Sequence, residues 1–257
     1  MPRRGTLVAM LLSLALPACT TTSSAQPPAP SRSAVVQADP SPSEAPRPEP
    51  VMPSPTPPVA PPRFTGQILR ISPAIRAELI GRNWHVGCPV ALEDLRMVHV
   101  SYWDFDGEVR HGPLVLNENV AKDVLWVFRQ LFRARFRIEK IALAAKWHPV
   151  EPSDYWNPSR KSVTASFNCR PATDSTSLSQ HSYGWAIDVN PLQNPYVRSD
   201  GSVLRAVAKP FRNRRMHREG MIHEGDVVVR SFAAIGWEWG GHWHTLKDYM
   251  HFSLTGR

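Results

Sequence analysis

Two short stretches of the chain concentrate the side chains best suited to chemistry. The stretch 179–188 contains His181 and, seven positions later, Asp188. Near the other end of the sequence, Asp248 and His251 lie three positions apart. Two imidazoles and one carboxylate would give a zinc ion three protein ligands and leave the fourth position for water, as catalytic zinc sites require. We therefore take His181, Asp188 and His251 as the candidate ligand set.

Asp248 also lies in these two stretches, but it is not part of the candidate ligand set. It is a candidate to accept a proton from water and pass it to a leaving amine. However, an isolated histidine or aspartate is more often structural than a ligand, and neither spacing is distinctive by itself. His242 and His244 are rival ligands, for which a solvated polar rim is the competing interpretation. The residue types alone therefore leave a zinc site and a purely structural role both open.

The two stretches, taken in this order, resemble the two sequence signatures of the zinc D-alanyl-D-alanine carboxypeptidase family. This family includes the dipeptidases and carboxypeptidases of vancomycin resistance and the L-alanyl-D-glutamate endopeptidases of phage lysins. Residues 179–188 match its signature S-x-H-x-x-G-x-A-x-D, and residues 239–252 match its second signature, W-G-G-x-W followed by D-x-x-H-F. Residues 167–170 and 190–191 also look like the family, so the similarity covers about residues 85–254.

The resemblance implies roles for individual residues. His181, Asp188 and His251 would bind the zinc, and Asp248 would be the catalytic base. Arg170 matches an arginine that binds the substrate or stabilises the developing oxyanion, tasks that suit an always charged, forked guanidinium. The competing interpretation of Arg170 is a salt bridge that holds a long loop in place.

Three further residues are assigned to the substrate-binding region. We expect Ser179 to support the site through a hydrogen bond, and Trp239 and Trp243 to form the floor of the cleft. Two positions depart from the pattern of many relatives, because Lys247 replaces a proline and Ser253 replaces a glutamate. Neither departure removes a ligand, but both bear on specificity.

The first 18 residues predict an export signal. Arg3 and Arg4 precede the short apolar run Leu7–Leu16, which is too short to span a bilayer as a mature helix. Cys19 follows Leu-Pro-Ala, which resembles the lipobox of bacterial lipoproteins. We expect Cys19 to be lipidated and the protein to be anchored at the outer face of the membrane of a bacterial cell envelope. An ordinary signal peptide with an incidental cysteine is the alternative.

Residues 19–62 predict a linker rather than a fold. Fourteen of the 26 prolines of the chain fall between Pro27 and Pro62. Because proline lacks a backbone donor and few large apolar residues accompany it, this segment is expected to stay extended and disordered. The folded zinc peptidase domain is predicted to span residues 63–257.

The pattern of that domain predicts an α+β fold in which helices pack on a small, mostly antiparallel sheet. Helical periodicity is strongest after Asn117, and Asp106-Gly107 is a hairpin signal. The other predicted elements are a helix opened by Ser72-Pro73, strands at 96–105, 109–116, 138–143, 186–189 and 250–254, long loops at 148–178 and 193–224, and a helix at 227–235.

Cys88 and Cys169 remain once Cys19 is set aside. In an exported protein such a pair is a candidate disulfide bond, with two free buried thiols as the alternative.

The net charge of +8 favours an anionic environment such as cell-wall polymer. Nucleic-acid binding is not expected, because no recognition motif is present and Arg212, Arg214 and Arg215 form only a small cluster. We expect a monomeric zinc peptidase acting on peptidoglycan stem peptides. The alternatives are a catalytically silent wall-binding lipoprotein with structural zinc, and a structural lipoprotein without metal.

Overall fold

The computed structural model describes residues 60–144 and 162–256. These residues belong to one compact unit, Pro58–Arg257. Several predicted segments lie outside the described residues. They are the signal peptide, the proposed lipidation site Cys19, most of the linker, and the part of the long loop at 148–161. Within the described ranges, none of the helices combines the length and apolar character that a membrane crossing needs.

The first sheet is an antiparallel meander of three strands. Strands β1 (Gly66–Arg70), β2 (Leu95–Trp103) and β3 (Val109–Asn117) pair in the order β1-β2-β3. The turn between β2 and β3 is built on Asp104, whose carboxylate accepts hydrogen bonds from the amides of Asp106 and Glu108 at 3.0 and 2.8 Å. Gly107 has a φ of 86°, a conformation that glycine adopts without strain. The hairpin predicted at Asp106-Gly107 is confirmed.

Three α-helices have well-defined ends. Helix α1 (Pro73–Leu79) begins after Ser72, which accepts a hydrogen bond from Ile75, and α2 (Glu118–Arg133) begins after Asn117, which accepts one from Asn119. Helix α3 (Val227–Ala234) is capped by Asp226. The apolar face of α2 packs against the first sheet and α3. Its buried residues are Val120, Ala121, Val124, Val127, Phe128, Leu131 and Phe132.

A second small sheet carries the chemically interesting residues. Strands β4 (Ala186–Asp188), β6 (Glu238–Trp239) and β8 (His251–Ser253) pair antiparallel in the order β4-β8-β6. Strand β5 (Tyr196–Val197) pairs separately with β7 (Lys247–Asp248). Helices α2 and α3 and both three-stranded sheets share one core, which includes Phe128, Phe232 and Phe252. Helix α1 contributes Leu79 to a second apolar cluster with Leu95. The predicted α+β fold class is therefore confirmed.

Two segment predictions were wrong in part. Residues 138–143 do not form a strand; Ile138, Ile141 and Leu143 are buried, but this segment makes only single bridges, such as Ile141 to Thr164. Their apolar character reflects burial in the core rather than a ladder of backbone pairs. The segment 193–224 also contains more than loop, namely β5 and the 3-10 helix Ala206–Arg212.

Cys88 and Cys169 form a disulfide bond, with their Cα atoms 6.0 Å apart and 81 positions between them in sequence. Hydrogen bonds reinforce this link, because the Cys169 amide donates to the carbonyl of Asn83 and the Asn83 side chain donates to Asn168. The loop before β2 is thereby tied to the segment that leads to the cleft.

Replacing Cys88 and Cys169 together by serine is expected to lower the free energy of unfolding by about 2–5 kcal/mol, because the unfolded chain loses the constraint of a long closed loop. Denaturant titration of the variant and the wild type would measure this change. Reduced wild type should unfold at the same denaturant concentration as the variant. Detection of free thiols at both positions in the native protein would contradict the bond.

Candidate active site

The second sheet positions two of the three predicted ligands. Asp188 ends β4 and lies directly opposite His251, the first residue of β8. His181 comes from a 3-10 helix, Gln180–Tyr183, which precedes β4. Gly184 ends this helix with a φ of 70°, and a Cβ atom there would lie 2.5 Å from the amide nitrogen of Asn117. Only glycine fits this turn, which returns the chain towards the sheet.

The three side chains converge closely. Asp188 Oδ1 lies 3.1 Å from His181 Nε2 and 3.1 Å from His251 Nδ1. The two histidine side chains are 5% and 6% exposed and that of Asp188 is 22% exposed, so the group lies at the bottom of an opening. Ligand atoms in tetrahedral zinc sites lie about 3.3 Å apart, because each is about 2.0–2.2 Å from the ion. The spacing therefore fits a zinc ion.

The hydrogen bond behind His181 sets its tautomer. His181 Nδ1 lies 2.5 Å from the carbonyl oxygen of Ser166, so the Nδ1–H donates to Ser166 and the lone pair of neutral imidazole is on Nε2. Nε2 is buried and has no hydrogen-bond partner among the described residues. A lone pair and a carboxylate oxygen face each other at 3.1 Å, an arrangement that a cation between them would stabilise.

The electrostatics keep the third ligand ionised. Burial alone would raise the pKa of the Asp188 carboxyl group, but His181 and His251 beside it hold that pKa well below its usual range. Metal binding requires a deprotonated carboxylate and neutral imidazoles. The donor set of one carboxylate and two imidazoles is thus chemically suited to zinc.

Asp248 lies beside this group on β7 and lines the same cleft. Burial raises the pKa of Asp248 to about 7, and the negative charge of Asp188 acts in the same direction, against the opposing effects of His251 and Arg170. Asp248 Oδ1 is buried without a hydrogen-bond partner among the described residues. A carboxyl group with a pKa near neutrality can both accept and return a proton.

Arg170 reaches the cleft from the segment behind the disulfide bond. Its Nη1 donates to the carbonyl of Pro171 at 2.8 Å, while its buried Nε has no hydrogen-bond partner among the described residues. The backbone of Arg170 is fixed by Ser182, whose hydroxyl accepts from the Arg170 amide and donates to its carbonyl. Within the described ranges, no salt bridge to Arg170 is present.

Ser179 supports the site from behind. Its hydroxyl accepts a hydrogen bond from the amide of His181 at 3.3 Å and so caps the 3-10 helix that presents this ligand. Ser179 also lines the cleft but is only 7% exposed. Its contacts therefore place it as a support for His181.

The two tryptophans occupy different environments. Trp243 lines the cleft, and its ring lies 5.6 Å from that of His251. Trp239 is 5% exposed, stacks on Phe252 and donates its indole hydrogen bond to the carbonyl of Tyr249. The structure therefore places Trp243 at the cleft and Trp239 in the core beneath it.

The rival histidines do not join the ligand group. His242 contacts Glu224 at 2.6 Å, with 54% of its side chain exposed. His244 lines the cleft. The set His181, Asp188 and His251 and a second group, in which Cys88 and Cys169 are already bonded to each other, are the metal-capable clusters within the described residues.

Two residues of the site were not identified from the sequence, and a third, Gly240, was identified only as part of the second signature. Ser166 orients His181, and Tyr196, which lines the cleft, lies opposite Asp248 in the β5–β7 pair. Gly240 lets the backbone approach Asp248, because a Cβ atom at Gly240 would lie 2.5 Å from the Asp248 carbonyl oxygen. The adjacent glycines after Trp239 were the one available signal for such a close approach.

The cleft has a volume of about 770 Å³ and is open to solvent. This volume is within the range of sites for small molecules and short peptides. Polar and apolar side chains both contribute to its lining. Besides the residues already described, the lining includes Ala172, Thr173, Ser175, Ser177, Leu178, Gln180, Thr245, Leu246 and Gly256.

The comparisons with known proteins agree with this geometry. Residues 173–254 match a family model described as D-alanyl-D-alanine carboxypeptidase. The matched segment contains His181, Asp188, Asp248 and His251, and it begins shortly after Arg170. No curated protein and no solved structure matches the chain. The match covers less than half of the chain, and for that segment it supports a peptidase.

Proposed function

We propose that the protein is a zinc-dependent peptidase that hydrolyses amide bonds in the stem peptides of peptidoglycan. The observation that carries this proposal is the convergence of His181, Asp188 and His251 beside the buried carboxyl group of Asp248. The match of residues 173–254 to a D-alanyl-D-alanine carboxypeptidase model supports the reaction type. The proposed scissile bond is D-Ala-D-Ala or L-Ala-D-Glu.

His181 Nε2, His251 Nδ1 and a carboxylate oxygen of Asp188 would hold the metal ion. Bound zinc in such a site supplies a Lewis acid that polarises a carbonyl group and makes water a better nucleophile at neutral pH. The hydrogen bond from His181 to Ser166 holds this imidazole in the required tautomer throughout.

Asp248 performs the proton transfers in this proposal. As the oxygen of water bonds to the carbonyl carbon of the substrate, Asp248 accepts a proton from that water. As the carbon–nitrogen bond breaks, the same proton passes to the leaving amine, so the carboxylate is regenerated. The raised pKa of Asp248, about 7, suits a group that must be both base and acid in one cycle.

Arg170 is the proposed contact for negative charge. Arg170 lines the cleft together with Asp248, and its buried Nε atom has no hydrogen-bond partner among the described residues. Such a group would bind a substrate carboxylate or the oxygen that gains negative charge during attack. Trp243 would form an apolar wall beside the reacting amide.

The proposed location follows from the sequence. A lipid on Cys19 would hold the protein at the outer face of the membrane, and the proline-rich segment 19–62 would let the domain reach the wall. The net charge of +8 would favour residence near anionic wall polymer. We propose that the domain acts there as a monomer.

The decisive experiment is digestion of purified peptidoglycan with the zinc-loaded protein. New amino and carboxyl termini, identified by mass spectrometry, should come from one type of stem-peptide bond and should disappear when zinc is removed with a chelator. A protein that binds peptidoglycan and retains zinc, yet releases no new termini, would instead be the silent wall-binding lipoprotein.

A further inference from the structure

A second concave region lies at the carboxyl end of α2, and it shares no lining residue with the cleft. Its volume is about 440 Å³. Four arginines line it, and no acidic residue does. We call this region the basic pocket. It is lined by Pro61, Pro62, Arg63, Phe64, Trp103, Arg129, Phe132, Arg133 and Arg135.

Three aromatic residues in the lining of the basic pocket pack against one another. Phe132 stacks on Trp103 with a centroid distance of 5.4 Å and contacts the edge of Phe64 at 5.7 Å. The indole of Trp103 also donates a hydrogen bond to the carbonyl of Phe132. These contacts between the rings form an apolar surface against which the arginine side chains of the basic pocket can pack.

Two of the arginines lie over these rings. The guanidinium carbon of Arg129 is 5.6 Å from the centre of Phe64, and that of Arg135 is 4.9 Å from the centre of Trp103. None of the four arginines forms a salt bridge with an acidic residue within the described ranges. Cation–π contacts of this kind can hold the guanidinium groups of Arg129 and Arg135 in place while their N–H donors remain available for an anion.

The backbone at Arg135 argues against a purely structural role for these charges. A cation near the end of a helix stabilises the helix dipole, and Arg133 already occupies that position. Arg135 has a φ of 54°, a conformation in which glycine is favoured just after a helix. An arginine here is strained relative to glycine, and what it contributes is the guanidinium group over Trp103.

The exposed side of α2 extends the same surface. Trp126 is 42% exposed, and helical spacing places it beside Lys122 and Arg129. Tryptophan prefers the boundary between water and lipid, and basic residues around it favour anionic lipid. Two acidic residues of α2 border this stripe, Asp123 and Glu118, and Glu118 is paired with Arg96.

We propose that the basic pocket and the adjoining face of α2 dock on the phosphate head groups of anionic membrane lipids. The arginines would bind the phosphates, and the rings with Trp126 would contact the glycerol region. The chain enters the domain at Pro61 and Pro62, in the wall of this pocket. The proline-rich segment, with its proposed lipid attachment at Cys19, therefore joins the domain at the surface that would face the membrane.

Sedimentation with lipid vesicles tests this proposal without relying on the peptidase activity. The protein would be the mature chain with Cys19→Ala, so that no attached lipid contributes. We expect binding to vesicles of phosphatidylcholine with phosphatidylglycerol, no binding to phosphatidylcholine alone, and weakening with added salt. Each arginine removed should weaken binding about five-fold, so Arg129→Gln with Arg133→Gln should weaken it about 25-fold.

Matched variants distinguish binding through the basic pocket from a general effect of the net charge of the protein. Arg70→Gln with Arg215→Gln removes the same charge from exposed positions outside the basic pocket and should change binding less than about two-fold. Arg135→Gly should weaken binding without lowering the melting temperature, because glycine suits the left-handed conformation. The proposal is overturned if both double variants bind equally, if vesicle charge has no effect, or if inorganic phosphate displaces the protein at concentrations that leave ionic strength unchanged.

Discussion

Replacing His181 with alanine is expected to remove the bound zinc and to reduce peptide hydrolysis by more than about 100-fold. Only Asp188 and His251 would remain as donors, and two protein ligands do not make a catalytic zinc site. Loss of an outer partner of a zinc ligand alone typically costs 10–100-fold, so loss of the ligand should cost more. Metal analysis of the purified variant, together with its activity, would measure both effects.

The structure also specifies the controls for the His181 variant. Alanine leaves the carbonyl of Ser166 without its imidazole partner, so folding should be checked by circular dichroism. Asp188→Asn keeps the side-chain volume and removes the ligand charge, and it should lose zinc as well. His217→Ala changes an exposed histidine that stacks on His223 and should retain zinc. Unchanged zinc content in both ligand variants would contradict the proposed ligand set.

Asp248→Asn is expected to retain zinc and to lose hydrolysis by about 10²–10⁴-fold, the usual contribution of a general acid–base group. The asparagine amide keeps the shape of the carboxyl group but neither accepts nor returns the proton. The loss should appear in kcat, with KM nearly unchanged, because Arg170 and Trp243, the proposed substrate contacts, are not altered. Steady-state kinetics on a purified muropeptide and metal analysis would measure these quantities.

A matched control for Asp248→Asn is Asp200→Asn. Asp200 is exposed, and its carboxylate accepts the amide hydrogen bond of Ser202 in a surface turn, so its loss should leave turnover intact. If Asp248→Asn hydrolyses muropeptides at the wild-type rate, the proton-transfer role is wrong even if the zinc site is correct. If the wild type is inactive as well, the peptidase proposal itself fails.

The long elements of the fold were predictable because their periodicity is strong. Helix α2 buries seven residues at helical spacing, and Asn117 marks its start. The hairpin of β2 and β3 has alternating residues around Asp106-Gly107. Strands β5 and β7, by contrast, contain two residues each, and two residues carry no periodicity. Their pairing depends on contacts between distant parts of the chain.

The residues of the site were likewise predictable from the sequence only in part. His181, Asp188, Asp248 and His251 stand out by residue type, by spacing and by their resemblance to a family. The role of Ser166 was not visible, because a backbone carbonyl 15 positions from His181 orients the imidazole whatever side chain accompanies it. Trp239 and Trp243 are alike in sequence, and only the packing of Phe252 beneath Trp239 separates a core residue from a cleft residue.

The place of β8 in the second sheet has a consequence for how the site can open. This strand is central, hydrogen-bonded to β4 on one side and to β6 on the other. His251 pairs with Asp188 of β4, and the next two residues, Phe252 and Ser253, pair with both β4 and β6. Fraying of a sheet begins at its outer strands, so the strand that carries His251 is held in place on both sides just after this residue. The amide hydrogens of β8 should therefore exchange with solvent as slowly as those of the core. Local opening that separates His251 from Asp188 is correspondingly expected to be rare.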